Sequence, residues 1–180
     1  MKTFLDLAAR RRSIRKYLDR LVEPEKLDRC LEAARLAPSA CNSQPCRYVA
    51  ITEPELKRKF CAAAFSGLYS ATRFAAAAPV IVAVVAGEGS LSARVGNLVR
   101  GTSFYLVDTG ISCAHFVLAA QDEGLGACII GWFDAKKAGK VIGVPSGKRI
   151  ELLISLGYPA ENPPPRPRKA FNEACSKNKY

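Results

Sequence analysis

The chain has 180 residues, 49% of them hydrophobic and 24% charged, enough for a substantial core and read as one domain over 1–180. Seven cysteines, an odd number without regular spacing, and one histidine argue against a disulfide framework and against a structural metal. The longest apolar stretch, Phe74–Gly87, contains Pro79 and falls short of the roughly 20 residues that span a bilayer.

The first residues carry Asp6 and run into Arg10, Arg11 and Arg12 with no apolar region after them, so no signal peptide is expected and a cytoplasmic protein is. The net charge is +11, and its distribution matters more than its size. Residues 10–20 hold six basic residues against Asp19, and residues 163–180 hold five against Glu173. The middle, 21–162, is nearly balanced, with 15 basic and 13 acidic residues. If the fold brings the two basic ends together they make an anion site; otherwise they are two solvated tails.

In chain order, residues 3–10 predict a short helix ending at the Arg run. Pro24, flanked by Glu23 and Glu25, opens a second helix with acids at its positive end. Leu27, Leu31 and Ala34 repeat at helical spacing up to Pro38. Residues 39–46 are small and polar and predict a loop. A strand follows over Tyr48–Thr52, and Pro54 opens a helix through about Ala64. Pro79–Ala86 is a β-branched run expected to be buried on both faces. Residues 103–123 are long and mostly apolar, interrupted by Asp108, His115 and Gln121. They predict a central helix stopped by Gly124-Leu125-Gly126, with His115 expected in the core. Ala127–Trp132 predicts a buried strand. Asp134 caps a helix to about Ile142, and Ile150–Leu156 is a strand stopped by Gly157-Tyr158-Pro159. The order is that of an α+β fold with one central sheet. No G-x-G-x-x-G follows a first strand, so a standard dinucleotide-binding unit is not expected.

Four segments can carry chemistry, and each has a plain structural alternative. Arg11, Arg12, Ser13 and Arg15 offer guanidinium forks and a hydroxyl to a phosphate, or are a solvated charge run. Pro38-Ser39-Ala40-Cys41-Asn42-Ser43-Gln44-Pro45 lets backbone approach a flat ring while its amides meet the ring's polar edge, or is a connector rich in turn formers. Gly124–Trp132 can present bare backbone N–H groups to a ligand at a sheet edge, or is a core strand. Arg166-Pro167-Arg168-Lys169, held extended by prolines, can deliver cations across a surface, or is a solubilising tail.

In this order, Arg-Arg-Ser-Ile-Arg-Lys-Tyr, Ala-Pro-Ser-Ala-Cys-Asn-Ser-Gln-Pro, Asp-Thr-Gly-Ile-Ser, Gly-Leu-Gly-Ala-Cys-Ile-Ile-Gly and Pro-Arg-Pro-Arg-Lys resemble the nitroreductase family of FMN flavoproteins over essentially the whole chain. The resemblance implies an α+β fold with a mainly antiparallel central sheet and an interlocked homodimer with FMN at its interface. It implies that Arg11, Arg12, Ser13 and Arg15 hold the FMN phosphate, the ribityl chain or the flavin's N1/O2 edge, with Arg166 and Arg168 completing the phosphate site. Pro38, Ser39, Ala40, Asn42 and Gln44 would lie against the partner subunit's flavin. Ile129, Ile130 and Gly131 would lie along the isoalloxazine, with a backbone N–H near N5, and Arg73 matches a basic family position near the flavin more loosely. Two residues depart from the pattern. Cys46 stands where an aromatic residue often follows Gln-Pro, and Ile129 where Trp often stands.

The activity so implied is hydride transfer from NADH or NADPH to a small acceptor such as a nitroaromatic, a quinone or a flavin. It needs no protein acid, base or metal, because the flavin carries the chemistry. A flavin carrier or sensor without turnover remains open. So does a basic nucleic-acid-binding protein, which would require a basic face interleaved with aromatics; near the Arg runs stand only Phe4, Tyr17, Phe171 and Tyr180.

Overall fold

The computed structural model describes residues 3–87 and 101–180. Its helices start where the local chemistry directs. Helix α1 (Phe4–Arg10) is capped reciprocally by Thr3 and Asp6, a capping box. Helix α2 (Pro24–Arg35) begins on proline and buries Leu27, Cys30 and Ala34, the face the helical spacing indicates. Strand β1 (Arg47–Ile51) follows, then α3 (Pro54–Ala64), where Glu53 accepts from the N–H groups of Glu55 and Leu56. A 3-10 segment, Gly67–Ala77, that periodicity does not announce leads into β2 (Val80–Ala86), buried at all seven positions as expected of a doubly covered strand.

The long helix α4 runs Phe104–Asp122. Gly124, at φ 73°, ends it, and the Leu125 N–H returns to Ala120 O at 2.8 Å. His115 is exposed on this helix, its Nδ1 2.9 Å from Ile111 O. That corrects the expected core position: the buried face runs through Asp108, Ser112, Phe116 and Ala120, and His115 falls off it. Strand β3 spans Gly126–Ile130, helix α5 Ala135–Val141 and strand β4 Arg149–Gly157. Gly126 thus opens the strand rather than ending the helix, and Gly131 and Trp132 lie beyond the strand's end. A last turn, α6, is Phe171–Ala174.

The sheet order is β1-β2-β4-β3, antiparallel at each pairing. One face packs against α2 and α4 through Val82, Val84, Phe116 and Ile154, and the other against α3 and α5 through Phe60, Ile81, Ala138 and Leu153. Two helical layers enclosing a sheet account for the two-sided burial of β2. Val84 faces Leu152 and Val85 faces Ile150, which leaves Glu151 as an extra residue in β4, a β-bulge. Burial pushes the Cys30 thiol up to about 12 and the Cys61 thiol up to about 11, so these cysteines behave as small core residues. Among the described residues, no helix is long and apolar enough to cross a membrane.

After β4, Tyr158 binds the start of α2, whose Lys26 also donates to Glu123 O at the end of α4 at 2.9 Å. The Tyr158 hydroxyl donates to Glu23 Oε2 at 2.6 Å and accepts from Lys26 Nζ at 3.1 Å, while Arg20 lies 3.8 Å over its ring. The Tyr158 and Arg20 donors lower the Glu23 carboxyl from its ordinary 4.5 to about 2. A carboxyl lowered by folding stabilises the fold fully above its unfolded value, and that contribution is lost as pH falls through the folded one. Urea unfolding should therefore show Glu23→Gln less stable than wild type at neutral pH, with the gap closing between pH about 5 and about 2. A gap independent of pH would show that Glu23 acts by packing alone.

Candidate functional site

The site begins with a short segment laid along the edge of the sheet. Ser13 bridges Ala127 in parallel register, and the Ile14 N–H donates to Ala127 O at 3.1 Å. Gly126 makes this approach possible, because a Cβ there would sit 2.7 Å from Ile14 Cγ1. The same segment is held on its other side by the chain leaving β4. Tyr17 bridges Pro159, the Leu18 N–H donates to Tyr158 O at 2.9 Å, and the Ala160 N–H to Lys16 O at 3.0 Å. Glu161 accepts from the backbone N–H groups of Arg15 and Lys16. Tyr17 locks the junction, its hydroxyl 2.6 Å from Ile14 O and 2.7 Å from Ser155 Oγ, and burial pushes its phenol pKa well up.

This staple carries the N-terminal arginines to the C-terminal ones. Arg11, Arg12, Ser13, Arg15, Arg166 and Arg168 line one cavity of about 480 Å³, with Pro163–Pro165 along its wall. Five guanidiniums thus converge with no carboxylate on the cavity wall. None of the ion pairs among the described residues engages them. Arg12 donates through Nη1 to Ala9 O and Arg11 O, but its Nε is buried without a hydrogen-bond partner. A buried donor left unmet is costly, and an anion in the cavity would meet it.

Arg15 follows two residues after the Ser13 bridge to Ala127. Strand β3 is the outermost strand, and past Ala127 none of the described strands pairs with its outer edge. Ile129 points out, 40% exposed, whereas Ile130 is buried in the core. The backbone groups of Ile130 also turn inward, toward β4, because those of Ala127 face the open edge and the two alternate along the strand. Gly131 is exposed and lines a second cavity, of about 600 Å³. Trp132 follows, half exposed but fixed: its Nε1–H donates to Leu68 O at 3.2 Å, its carbonyl accepts from Thr72 Oγ1 at 2.7 Å, and its ring lies 5.2 Å from that of Tyr69.

The loop residues form a separate group. Pro38, Ser39 and Gln44 line a third cavity, of about 320 Å³, with Cys46 and Asp108. Cys41, Asn42 and Gln44 have φ of 51°, 50° and 45°, a left-handed backbone that non-glycine residues adopt only when held there. Asp108, buried in α4, does the holding. Its carboxylate accepts the Ala40 N–H at 3.0 Å and the Ser43 hydroxyl at 3.4 Å, while Ser39 Oγ accepts the Gln44 N–H at 3.0 Å. Within one chain, the cavity lined by this loop and the arginine cavity have no lining residue in common. Arg73 also stands apart, lining another cavity with Lys57 and Arg58. Neighbouring Phe74 does reach the site, with Arg15 5.8 Å over its ring.

Tyr17, Glu161 and Asp108 are not among the candidate site residues, although Tyr17 and Asp108 stand within motifs that carry the resemblance. Asp108 leaves a further signal, a carboxylate inside an apolar helical run.

The family model described as the nitroreductase family matches residues 8–158. That span takes in the segment laid on the edge of β3, the loop and the open end of β3, and stops before Pro159–Glu161 and the C-terminal arginines. The chain belongs to the nitroreductase family. It is 31% identical to an NADH dehydrogenase of Thermus thermophilus over 86% of this chain and 85% of that protein. It is 25% identical to an NADPH-flavin oxidoreductase of Vibrio harveyi, over 100% of this chain and 75% of that one. A nitroreductase family protein from Streptococcus pneumoniae superimposes with a TM-score of 0.81 at 27% identity, covering 97% of this chain and 100% of that one. The fold is thus the α+β nitroreductase fold, and the protein is an oxidoreductase of that type.

Gly126→Ala tests the staple. The added methyl must displace Ile14, an overpacking cost of about 1–3 kcal/mol, and should loosen the Arg11–Arg15 segment. Denaturant unfolding and hydrogen exchange at residues 11–18 would show both effects. Unchanged protection in that segment would mean the Ile14 contact does not hold it.

Proposed function

We propose that this nitroreductase-family protein binds FMN and transfers hydride equivalents from NADH or NADPH to a small acceptor, a nitroaromatic, quinone or flavin. The arginine cavity is the observation that carries the reading. Five guanidiniums, one with a buried unmet Nε, fit the dianionic phosphate that ends FMN. The basic ends of the chain are then one anion site, which accounts for the charge excess without a nucleic-acid partner.

When bound, FMN supplies the redox chemistry, accepting two electrons from a nicotinamide and passing them to the acceptor. The chain's own residues bind and orient. Arg11, Arg12, Ser13, Arg166 and Arg168 would hold the phosphate. Arg15 would face the ring's N1/O2 edge and favour negative charge there. Ile129 would lie against the ring, and the backbone N–H of Gly131, just past the open edge of β3, would point to it. No side chain is assigned as a proton donor. The V. harveyi relative, an NADPH-flavin oxidoreductase, supports both the flavin and the nicotinamide.

The working unit in this reading is a homodimer. Its support is the separation of the Pro38–Gln44 loop from the arginine cavity of the same chain, which leaves that loop to serve a second copy. Helix α4 also exposes Leu106 and Val107 at 44% and 49%, together with Gly110 and Ala114, a small, apolar face suited to a two-fold contact.

Trp132 is the only tryptophan, so FMN binding should quench the intrinsic fluorescence of the apoprotein. In the same titration, Arg11→Ala or Arg168→Ala should each weaken FMN by about 1.5–3 kcal/mol. Unaltered affinity in both variants would return the clusters to solvated tails. NADH or NADPH should then bleach the yellow protein; a flavin that binds but stays oxidised would make it a carrier. Light scattering at low concentration should show a dimer that FMN stabilises. A monomer holding flavin stoichiometrically would refute the shared site.

A further inference from the structure

The cavity beside Gly131 differs in kind from the arginine cavity. Its walls combine flat rings with unpaired cations. Tyr69 and Phe133 line it, and so do Lys136, Lys140 and Lys148. Of the two carboxylates on its wall, Asp134 is engaged and Glu151 is paired through one oxygen, its buried Oε1 having no hydrogen-bond partner. Asp134 caps α5 through the Lys137 N–H at 2.9 Å and pairs with Lys137 Nζ at 3.2 Å. Glu151, buried on its bulge, pairs with Arg149 at 2.8 Å. Among the described residues, no ion pair engages Lys136, Lys140 or Lys148. Trp132, between two residues that line the cavity, backs the Tyr69 ring and is immobilised by two hydrogen bonds despite being 51% exposed. A large ring held rigid in solvent is pre-ordered for stacking, because no rotamer freedom is lost when a ligand covers it.

From this arrangement we infer that the cavity at Gly131 selects planar aromatic acceptors carrying a negative charge, with the ring against Tyr69, which Trp132 supports from outside the cavity, and the anion toward Lys136 and Lys140. The inference rests on the reading of Ile129–Gly131 as the flavin edge, since only then does a ligand in this cavity meet the reacting ring. Weakly held surface cations contribute little one at a time. Several around one cavity act together on a bound anion and are screened by salt.

The test uses the flavin-loaded protein and two acceptors alike in shape but not in charge, para-nitrobenzoate and para-nitrobenzyl alcohol. At low salt, kcat/KM should favour the anion by about tenfold, and the preference should shrink toward unity in about 0.5 M salt. The double variant Lys136→Ala/Lys140→Ala should bring the ratio to within about twofold. Trp132→Leu should lower kcat/KM for both acceptors and keep their ratio. Calorimetry of para-nitrobenzoate on the oxidised protein, with no nicotinamide present, reads binding without turnover and should show the same loss of affinity in the lysine variant. If the neutral acceptor is reduced as well as the charged one, or the preference survives in the lysine variant, the inference falls while the flavin enzyme stands. If the protein takes up no flavin, or its flavin is not reduced by NADH or NADPH, the functional reading fails and this inference with it.

Discussion

The contact on which the site depends is the meeting of Ile14 with the edge of β3. One hydrogen bond, to Ala127 O, and one missing methyl, at Gly126, let the N-terminal segment lie flat against the strand. Its far side is then free to bond the chain that leaves β4, through Leu18, Lys16 and Glu161. Sixteen or so residues at one end of the chain are thereby fixed to the other end, and five arginines that would repel one another face a common cavity. Concentrating like charges this way is unfavourable without an anion. The backbone hydrogen bonds and the Tyr17 lock hold the arrangement in place.

Asp108 plays the corresponding part for the Pro38–Gln44 loop. A carboxylate buried in an apolar helix is costly unless its oxygens are met. Here the Ala40 N–H and the Ser43 hydroxyl meet them, and three non-glycine residues are kept in a left-handed backbone as a result. The loop is rigid because it satisfies the helix, and the helix is satisfied because the loop is bent. Cys46 fits this account: its thiol lies 3.3 Å from Thr109 Oγ1, one residue along α4, where a bulkier ring would press on the helix that sets the loop.

The two cavities flanking the proposed flavin path have different chemistry because of where strands end. Strand β3 stops at Ile130, so Gly131 and Trp132 leave the sheet and meet the 3-10 segment at Leu68 and Thr72. That departure places an aromatic pair beside the lysines of α5. The arginine cavity, at the other end of the same edge, contains no aromatic side chain. A single strand edge thus passes from a phosphate-type environment to a ring-type one, the polarity gradient a phosphorylated flavin requires.

Much of this was determined by the sequence itself. The β-branched run of β2, the Pro-initiated helices α2 and α3, and the long apolar α4 follow from local propensity and periodicity, which act over a few residues. The order of Arg, small-polar, Gly-strand and Pro-Arg segments carried the family resemblance, and with it most of the candidate residues. Other features were decided only by tertiary structure. The 3-10 segment has no distinctive period. The ends of β3 depend on which residues β4 and Ile14 can reach, and His115 and Ile130 each fell on a face that only packing assigns. Whether two basic clusters some 150 residues apart form one site or two tails depends on a strand-edge contact, and a contact of that range leaves no local pattern. The same holds for Asp108, whose purpose is visible only when the loop 65 or more residues before it in the chain is seen lying against it.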